Sequence, residues 1–168
     1  LGSLYDEEGN LVAMKSVFDS FAEVTPKQKA GYAAGFLGNA DYRTLCTQWT
    51  VGGTNLASSV VATPGGTGAV NLGIGEFLEI GESVVIPDIA WTSYAIMAQN
   101  KQLKAVKYSM FDENDNFNLA DIKEKVNSLK GKQNRIVIVV NDPCHNPTGY
   151  TMSDAEWKDF IGFLNEVG

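Results

Sequence analysis

A glycine-rich segment has the clearest chemical potential in this sequence. Residues 63–69 read Thr-Pro-Gly-Gly-Thr-Gly-Ala, between a β-branched run and apolar residues at helical spacing. Glycines let the backbone approach an anion closely, and the free N–H groups at a helix start favour phosphate. Neither Gly-Lys-Ser/Thr nor Gly-x-Gly-x-x-Gly is present there, so both common nucleotide patterns are excluded. Taken alone, the segment fits a phosphate cradle and a tight turn without a ligand equally well.

Two further loops follow apolar runs. Trp91 lies just after the run 83–86, where its ring would form a stacking platform or pack as an ordinary core residue. Residues 141–149 read Asn-Asp-Pro-Cys-His-Asn-Pro-Thr-Gly, in which two prolines and a glycine fix a turn. Asn146 there has an amide that donates to a phenolate or carboxylate, or that only caps the backbone. His145, the only histidine, is expected to be structural or exposed rather than catalytic.

The elements around these loops predict where the loops lie. Four strands are predicted, at 59–63, 83–86, 104–110 and 136–140. Because helical patterns alternate with them, we expect an α/β fold of three layers, with helices on both faces of a mainly parallel sheet. Ligands bind at the carboxyl ends of the strands in such sheets, so the three loops are expected at one edge.

Two helix starts are also readable from the sequence. Asp41 is expected to cap a helix that runs through Trp49. Ser153 and Glu156 form a Ser-x-x-Glu capping box, which predicts a final amphipathic helix. Apolar residues at helical spacing predict an amphipathic helix over Leu119–Leu129. Residues 1–55 otherwise indicate a segment of mixed helix and loop, and residues 56–168 the regular α/β part.

The composition narrows the classes of partner. The 168 residues have a net charge of −7 and only two arginines, which argues against a nucleic-acid surface. No apolar run approaches the roughly 20 residues of a membrane span. Cys46 and Cys144 form no Cys-x-x-Cys pair, so free thiols in a reducing, cytoplasmic compartment are expected. No His, Cys and carboxylate cluster has metal-ligand spacing.

The three loops together suit a phosphorylated planar aromatic cofactor better than a nucleotide. They offer a phosphate cradle, an aromatic platform and a polar donor. The segments Thr63–Ala69 and His145–Gly149, with Trp91 between them, resemble pyridoxal-phosphate-dependent aminotransferases of the aspartate aminotransferase family, fold type I. Their order and spacing are similar to the family's over about residues 30–168.

The resemblance implies a role for each matching residue. Gly65, Gly66 and Thr67 would bind the phosphate of pyridoxal 5′-phosphate, and Trp91 would stack on its ring. Asn146 would bind the cofactor's phenolic oxygen and, with Trp91, lie at the substrate. Tyr32 looks like the tyrosine that reaches the phosphate in the partner subunit. The family's dimers have active sites at the subunit interface, so a homodimer is implied.

The resemblance also implies what is missing. The family's reactive lysine lies well downstream of the Asn-Pro-Thr-Gly turn, and none of the eleven lysines here has a similar small-residue setting. We therefore expect the chain to be a piece of a longer protein, a partial large domain, that is inactive on its own.

The implied reaction moves an amino group from an amino acid of aspartate or aromatic type to a 2-oxo acid. A pyridoxal-phosphate lyase or decarboxylase of the same fold is the nearest alternative, because fold and cofactor do not set the reaction. A non-catalytic phosphate-binding α/β module is the alternative from another class.

Overall fold

A computed structural model describes residues 3–32 and 35–168, which divide into two compact units, Leu1–Ala62 and Thr63–Gly168. The first unit contains three helices. They are α1 (Lys15–Glu23), α2 (Pro26–Lys29) and α3 (Ala40–Val51). None of the three contains a buried residue. The described residues of this unit therefore form helices but no buried hydrophobic core.

The second unit alternates helices with parallel strands. Its elements in chain order are α4 (Gly65–Gly75), β1 (Ser83–Pro87), α5 (Ser93–Asn100), β2 (Lys104–Tyr108), α6 (Leu119–Leu129), β3 (Val137–Ile138) and α7 (Asp154–Val167). The strand order is β2-β1-β3, with Val85 opposite Val106 on one side and opposite Ile138 on the other. Both pairings are parallel, so all three strands end at the same edge of the sheet.

The central strand β1 is buried on both faces, which explains its unbroken apolar sequence. Val84 and Ile86 pack in one cluster with residues of α4 and α5, whereas Val85 packs on the other face with residues of α6 and α7. The second unit is therefore a three-layer arrangement with helices on both faces of a parallel sheet, as the sequence predicts.

Three details of the sequence interpretation are wrong. Residues 59–63 form no strand, and the run 136–140 is a strand only at its centre. A strand forms only when it pairs with another strand. Among the described residues, the backbone of 59–62 makes one hydrogen bond outside helices and strands, from Ala62 N–H to the Leu37 carbonyl oxygen. Asn39, not Asp41, caps α3, because its side chain accepts from the N–H of Tyr42 at 3.0 Å.

Two expected helices are confirmed. Helix α7 begins with the Ser153–Glu156 capping box, and α6 has the predicted bounds.

Among the described residues, no helix is long and apolar enough to cross a membrane. The same residues contain no group of three metal-ligating side chains.

Candidate functional site

The segment 63–68, here called the glycine turn, begins α4 in an unusual way. Pro64 has φ −70° and ψ 78°, the values of an inverse γ-turn, and the N–H of Gly65 donates to the Thr63 carbonyl at 2.7 Å. Gly65 then has φ +70°, a backbone angle that residues with a side chain rarely adopt. Helix α4 begins at this glycine, so the helix start expected in the glycine-rich segment is confirmed.

The hydrogen bonds of the glycine turn leave two donors free. Gly65 N–H is used within the turn, and Gly68 N–H donates to the Pro64 carbonyl at 3.3 Å. The N–H groups of Gly66 and Thr67 have no acceptor among the described backbone bonds, as expected for the first turn of a helix. Two adjacent N–H groups at the positive end of the α4 dipole are therefore free to bind an anion.

The space around the glycine turn is asymmetric. A Cβ built on Gly65 or Gly66 would meet nothing within 4 Å, whereas one on Gly68 would lie 2.6 Å from the Pro64 ring. One side of the turn is thus open, and the other is packed too closely for any side chain. The open side fits a phosphate group approaching the backbone.

The topology places the glycine turn at the carboxyl edge of the sheet. Residues 76–82 join the end of α4 to the start of β1, so the helix runs antiparallel to the strand it packs against. Eleven helical residues and five strand residues both span about 16 Å. The beginning of α4 therefore lies at the level where β1 ends.

Trp91 lies shortly after β1 at that edge. It is half-buried and packs against the cluster of α4 and α5. Its ring meets that of Tyr94 edge-to-face, with centroids 5.6 Å apart and planes at 88°. One edge of the indole therefore belongs to the core, and the rest of the ring is accessible.

The segment 141–149, here called the amide loop, follows β3 and is fixed by side chains. Asp142 accepts from the N–H of Met152 at 2.7 Å and from Trp157 Nε1 at 3.0 Å. The N–H of Cys144 donates to the hydroxyl of Thr151 at 3.0 Å. The first half of the loop is therefore tied to residues just before and within α7.

Asn146 lies at the exposed tip of the amide loop. Its N–H donates to Asn141 Oδ1 at 2.8 Å, and the neighbouring His145 and Gly149 close the turn through a backbone bond of 2.6 Å. The Asn146 side-chain amide makes no hydrogen bond to the described residues. The backbone is thus held while the amide stays available to a ligand.

His145 is more deeply buried than its position in a loop suggests. It is only 2% exposed, and its Nδ1 lies 2.9 Å from the Thr148 hydroxyl, while Nε2 has no partner within the described structure. Burial lowers its pKa, and the nearby Ile89 backbone opposes that shift. His145 is therefore a buried residue of the amide loop, held at Nδ1 by Thr148.

A carboxylate network supports the amide loop from α7. Glu156 accepts from the Tyr150 hydroxyl at 2.5 Å, from Phe117 N–H at 2.9 Å and from Ser153 N–H at 2.7 Å. Burial alone would raise the pKa of Glu156, but these hydrogen bonds outweigh it and lower the pKa to about 2. The residue after the amide loop is therefore anchored to an ionised carboxylate.

Tyr32 is not brought to the other candidates by the described contacts. It lies in the Leu1–Ala62 unit with its ring 97% exposed, and the neighbouring residues 33–34 lie outside the described part. Its suggested role toward a partner subunit stays a prediction.

A cavity of about 870 Å³ lies elsewhere, along the open side of β3. Its wall combines Val137 and Val139 of the strand region with Ile74 of α4 and Leu164 of α7. None of the candidate site residues lines it. The cavity lies beside the edge of β3 that has no partner strand among the described residues, and it is distinct from the glycine turn.

Comparison with known proteins agrees with the motifs. The family described as "Aminotransferase class I and II" matches residues 3–168. An aspartate aminotransferase of Pseudomonas aeruginosa is 28% identical over 100% of this chain and 44% of its own. An aspartate aminotransferase of Pyrococcus horikoshii is 37% identical over 64% of this chain and 26% of its own.

Solved structures show the same fold. An aminotransferase from Anaerococcus prevotii has a TM-score of 0.90 and 32% identity, covering 99% of this chain and 41% of its own. A Burkholderia pseudomallei aromatic-amino-acid aminotransferase covalently bound to pyridoxal phosphate has a TM-score of 0.74 and 20% identity, covering 99% and 43%. The chain spans less than half the length of these relatives. With its whole described length matched by one family, the chain belongs to the class I and II aminotransferases.

Proposed function

We propose that this chain is the cofactor-binding part of the large domain of a pyridoxal-phosphate-dependent aminotransferase. The observation that supports it most is the glycine turn, where two free N–H groups face open space at the start of α4. In a member of this family, that arrangement fits the phosphate of pyridoxal 5′-phosphate. Residues 1–55 and 56–168 form the proposed N-terminal segment and partial large domain.

The proposed cofactor contacts follow the sequence prediction with one refinement. Gly66 and Thr67 bind the phosphate through their N–H groups, and the Thr67 hydroxyl adds a donor. Gly65 contributes through its positive φ and its lack of a side chain, because its own N–H is already used. Trp91 stacks on the ring, and Asn146 donates to the phenolic oxygen near the substrate carboxylate.

The protein's part in the chemistry is placement and polarity. When bound, pyridoxal phosphate supplies a conjugated ring that withdraws electrons from the substrate's α-carbon. The helix start fixes the phosphate end of the cofactor, and the half-buried Trp91 fixes the ring plane. The amide loop presents Asn146 from a backbone that is already held, so little ordering is needed on binding.

The proposed substrates are an amino acid of aspartate or aromatic type and a 2-oxo acid acceptor. Support comes from relatives named aspartate aminotransferase and aromatic-amino-acid aminotransferase. The proposed assembly is a cytoplasmic homodimer in which Tyr32 reaches the partner's phosphate site. The reactive lysine lies in the remainder of the longer protein, so the 168-residue chain alone is inactive.

The test uses the full-length protein with pyridoxal phosphate, an ¹⁵N-labelled amino acid and a 2-oxo acid. Transfer of the label to a new amino acid, with formation of the matching 2-oxo acid, is expected. Release of ammonia or carbon dioxide without label transfer would assign a lyase or decarboxylase instead. Binding of inorganic phosphate without binding of pyridoxal phosphate would assign a phosphate-binding module.

A further inference from the structure

Thr63 makes a side-chain contact that the proposed cofactor roles do not use. Its hydroxyl donates to the carbonyl oxygen of Gly65 at 2.9 Å. In the opposite direction, the N–H of Gly65 donates to the Thr63 carbonyl at 2.7 Å. These two hydrogen bonds bracket Pro64, so the Thr63–Gly65 segment is braced through both its backbone and a side chain.

The brace acts on the neighbouring donor through peptide geometry. The carbonyl of Gly65 and the N–H of Gly66 belong to one planar peptide unit and point in opposite directions. A hydroxyl that holds the Gly65 oxygen therefore also sets the direction of the Gly66 N–H. Because a carbonyl that accepts a hydrogen bond polarises its own peptide, the same contact strengthens Gly66 as a donor.

The conformation of Gly65 gives this restraint its importance. Gly65 has φ +70° and no side chain, and a Cβ built on it would meet nothing within 4 Å. Glycine has more backbone freedom than any other residue, so this peptide is easily reoriented where α4 begins. The Thr63 hydroxyl adds a side-chain restraint to the one that the first turn of α4 supplies.

We propose that Thr63 is a positioning residue of the phosphate site, orienting the Gly65–Gly66 peptide so that the Gly66 N–H points at the bound phosphate. The proposal rests on the proposed function, because it concerns the same site. Thr63 itself does not touch the phosphate; its hydroxyl proton is committed to the Gly65 oxygen.

The experiment compares Thr63→Val, which keeps the shape but removes the hydroxyl, with Thr63→Ser, which keeps the hydroxyl. Full-length apoprotein is titrated with pyridoxal 5′-phosphate and, separately, with pyridoxal, which lacks the phosphate. Thermal unfolding of each apoprotein is recorded alongside. Binding of pyridoxal phosphate by the unmodified protein tests the proposed function, and the ratio between the variants tests Thr63.

We expect Thr63→Val to weaken pyridoxal phosphate binding by roughly 2- to 12-fold, the range of one net hydrogen bond. Its pyridoxal affinity should match that of the unmodified protein, its unfolding temperature should fall by a few degrees at most, as for one exposed hydrogen bond, and Thr63→Ser should restore tight binding. Equal losses for pyridoxal and pyridoxal phosphate would overturn the proposal, since the whole site would then have changed. Unaltered affinity of Thr63→Val would also overturn it, as would a loss that Thr63→Ser does not rescue.

Discussion

The glycine turn and the amide loop use their hydrogen bonds in opposite ways. In the glycine turn, backbone N–H groups are the proposed ligands, and the start of α4 leaves Gly66 and Thr67 unpaired. In the amide loop, the N–H groups of Cys144, His145, Asn146 and Gly149 are paired, and the side chain of Asn146 is left free. The first region needs small residues that let a ligand reach the backbone. The second needs polar side chains that hydrogen-bond the backbone and fix the shape of the loop.

This difference predicts where mutations affect stability and where they affect binding. Substitutions at the base of the amide loop should lower the free energy of unfolding, because several donors depend on one side chain. Substitutions on the open side of the glycine turn should change ligand affinity instead, because they touch no neighbour.

The largest effect on stability is expected for Asp142→Ala. The change removes the acceptor of Met152 N–H and Trp157 Nε1, both of which are part-buried bonds. Hydrogen bonds to a charged group contribute about 1.5–3 kcal/mol each, so a loss of about 3 kcal/mol in the free energy of unfolding is expected. Urea denaturation followed by circular dichroism measures it.

The matched control is Asp154→Ala, which removes an exposed carboxylate at the start of α7. It should cost no more than about 1 kcal/mol, the scale of a charge near a helix N-terminus. Equal effects of Asp142→Ala and Asp154→Ala would mean that the amide loop is not held through Asp142.

The second prediction separates two adjacent glycines. Gly65→Ala places a side chain at φ +70° and should cost about 1–2 kcal/mol of stability, the penalty of left-handed backbone. Gly66→Ala has no such strain and should leave stability equal or higher, because alanine favours helix. Its methyl group would nevertheless enter the proposed phosphate space and weaken pyridoxal phosphate binding by about tenfold, since overpacking by one methylene costs about 1–3 kcal/mol.

Gly162→Ala in α7 is the control for Gly66→Ala. Gly162 also lies within a helix with nothing within 4 Å of a built Cβ. It should gain the same helix propensity without any change in cofactor affinity. Weakened binding in Gly162→Ala, or unchanged binding in Gly66→Ala, would show that the open side of the glycine turn is not the phosphate site.

The sequence predicts local structure well and long-range pairing poorly in this protein. The bounds of α6 follow from its apolar spacing, and the start of α7 follows from the capping box. The run 59–63 has strand composition but no strand neighbour in the described structure, and the strand at 136–140 pairs on one side only. Composition indicates which residues prefer a sheet, whereas the presence of a neighbouring strand decides whether one forms.

The same limit applies to the site. The types and order of Gly66, Thr67, Trp91 and Asn146 were readable from the sequence, because the motifs are local. The use of Gly65 N–H inside an inverse γ-turn depends on the ψ angle of Pro64, which the proline ring does not fix. The burial of His145 depends on how the rest of the fold packs around the amide loop, which the residue types of the loop do not determine.

A pH prediction concerns the support of the amide loop by Glu156. Its pKa is about 2 in the folded protein and near 4.5 without its partners. A lowered folded-state pKa stabilises the protein fully above pH 4.5, and that contribution is lost as pH falls toward 2. The free energy of unfolding should therefore decline over this window more steeply than in Glu156→Gln.

The comparison variant for this titration is Glu166→Gln, a change at an exposed carboxylate near the end of α7. It should keep the acid-induced decline of the unmodified protein. A decline of the same steepness in Glu156→Gln would contradict the assignment of that pH dependence to the contacts of Glu156 with Tyr150 and Ser153.

The smallest effect on stability is expected for Asn146→Ala, and this makes it the sharpest test of the amide loop. The Asn146 side chain is exposed and bonds to no described residue, so its removal should change the free energy of unfolding by less than about 0.5 kcal/mol. Asn141→Ala removes instead the oxygen that holds the Asn146 N–H, and should cost about 1 kcal/mol. In the full-length protein, Asn146→Ala should shift the absorption spectrum of bound pyridoxal phosphate, because a donor to the phenolic oxygen is lost. If the Asn146→Ala spectrum equals that of the unmodified protein, the Asn146 amide makes no contact with the cofactor. The glycine turn would then be the one of these two regions that binds it.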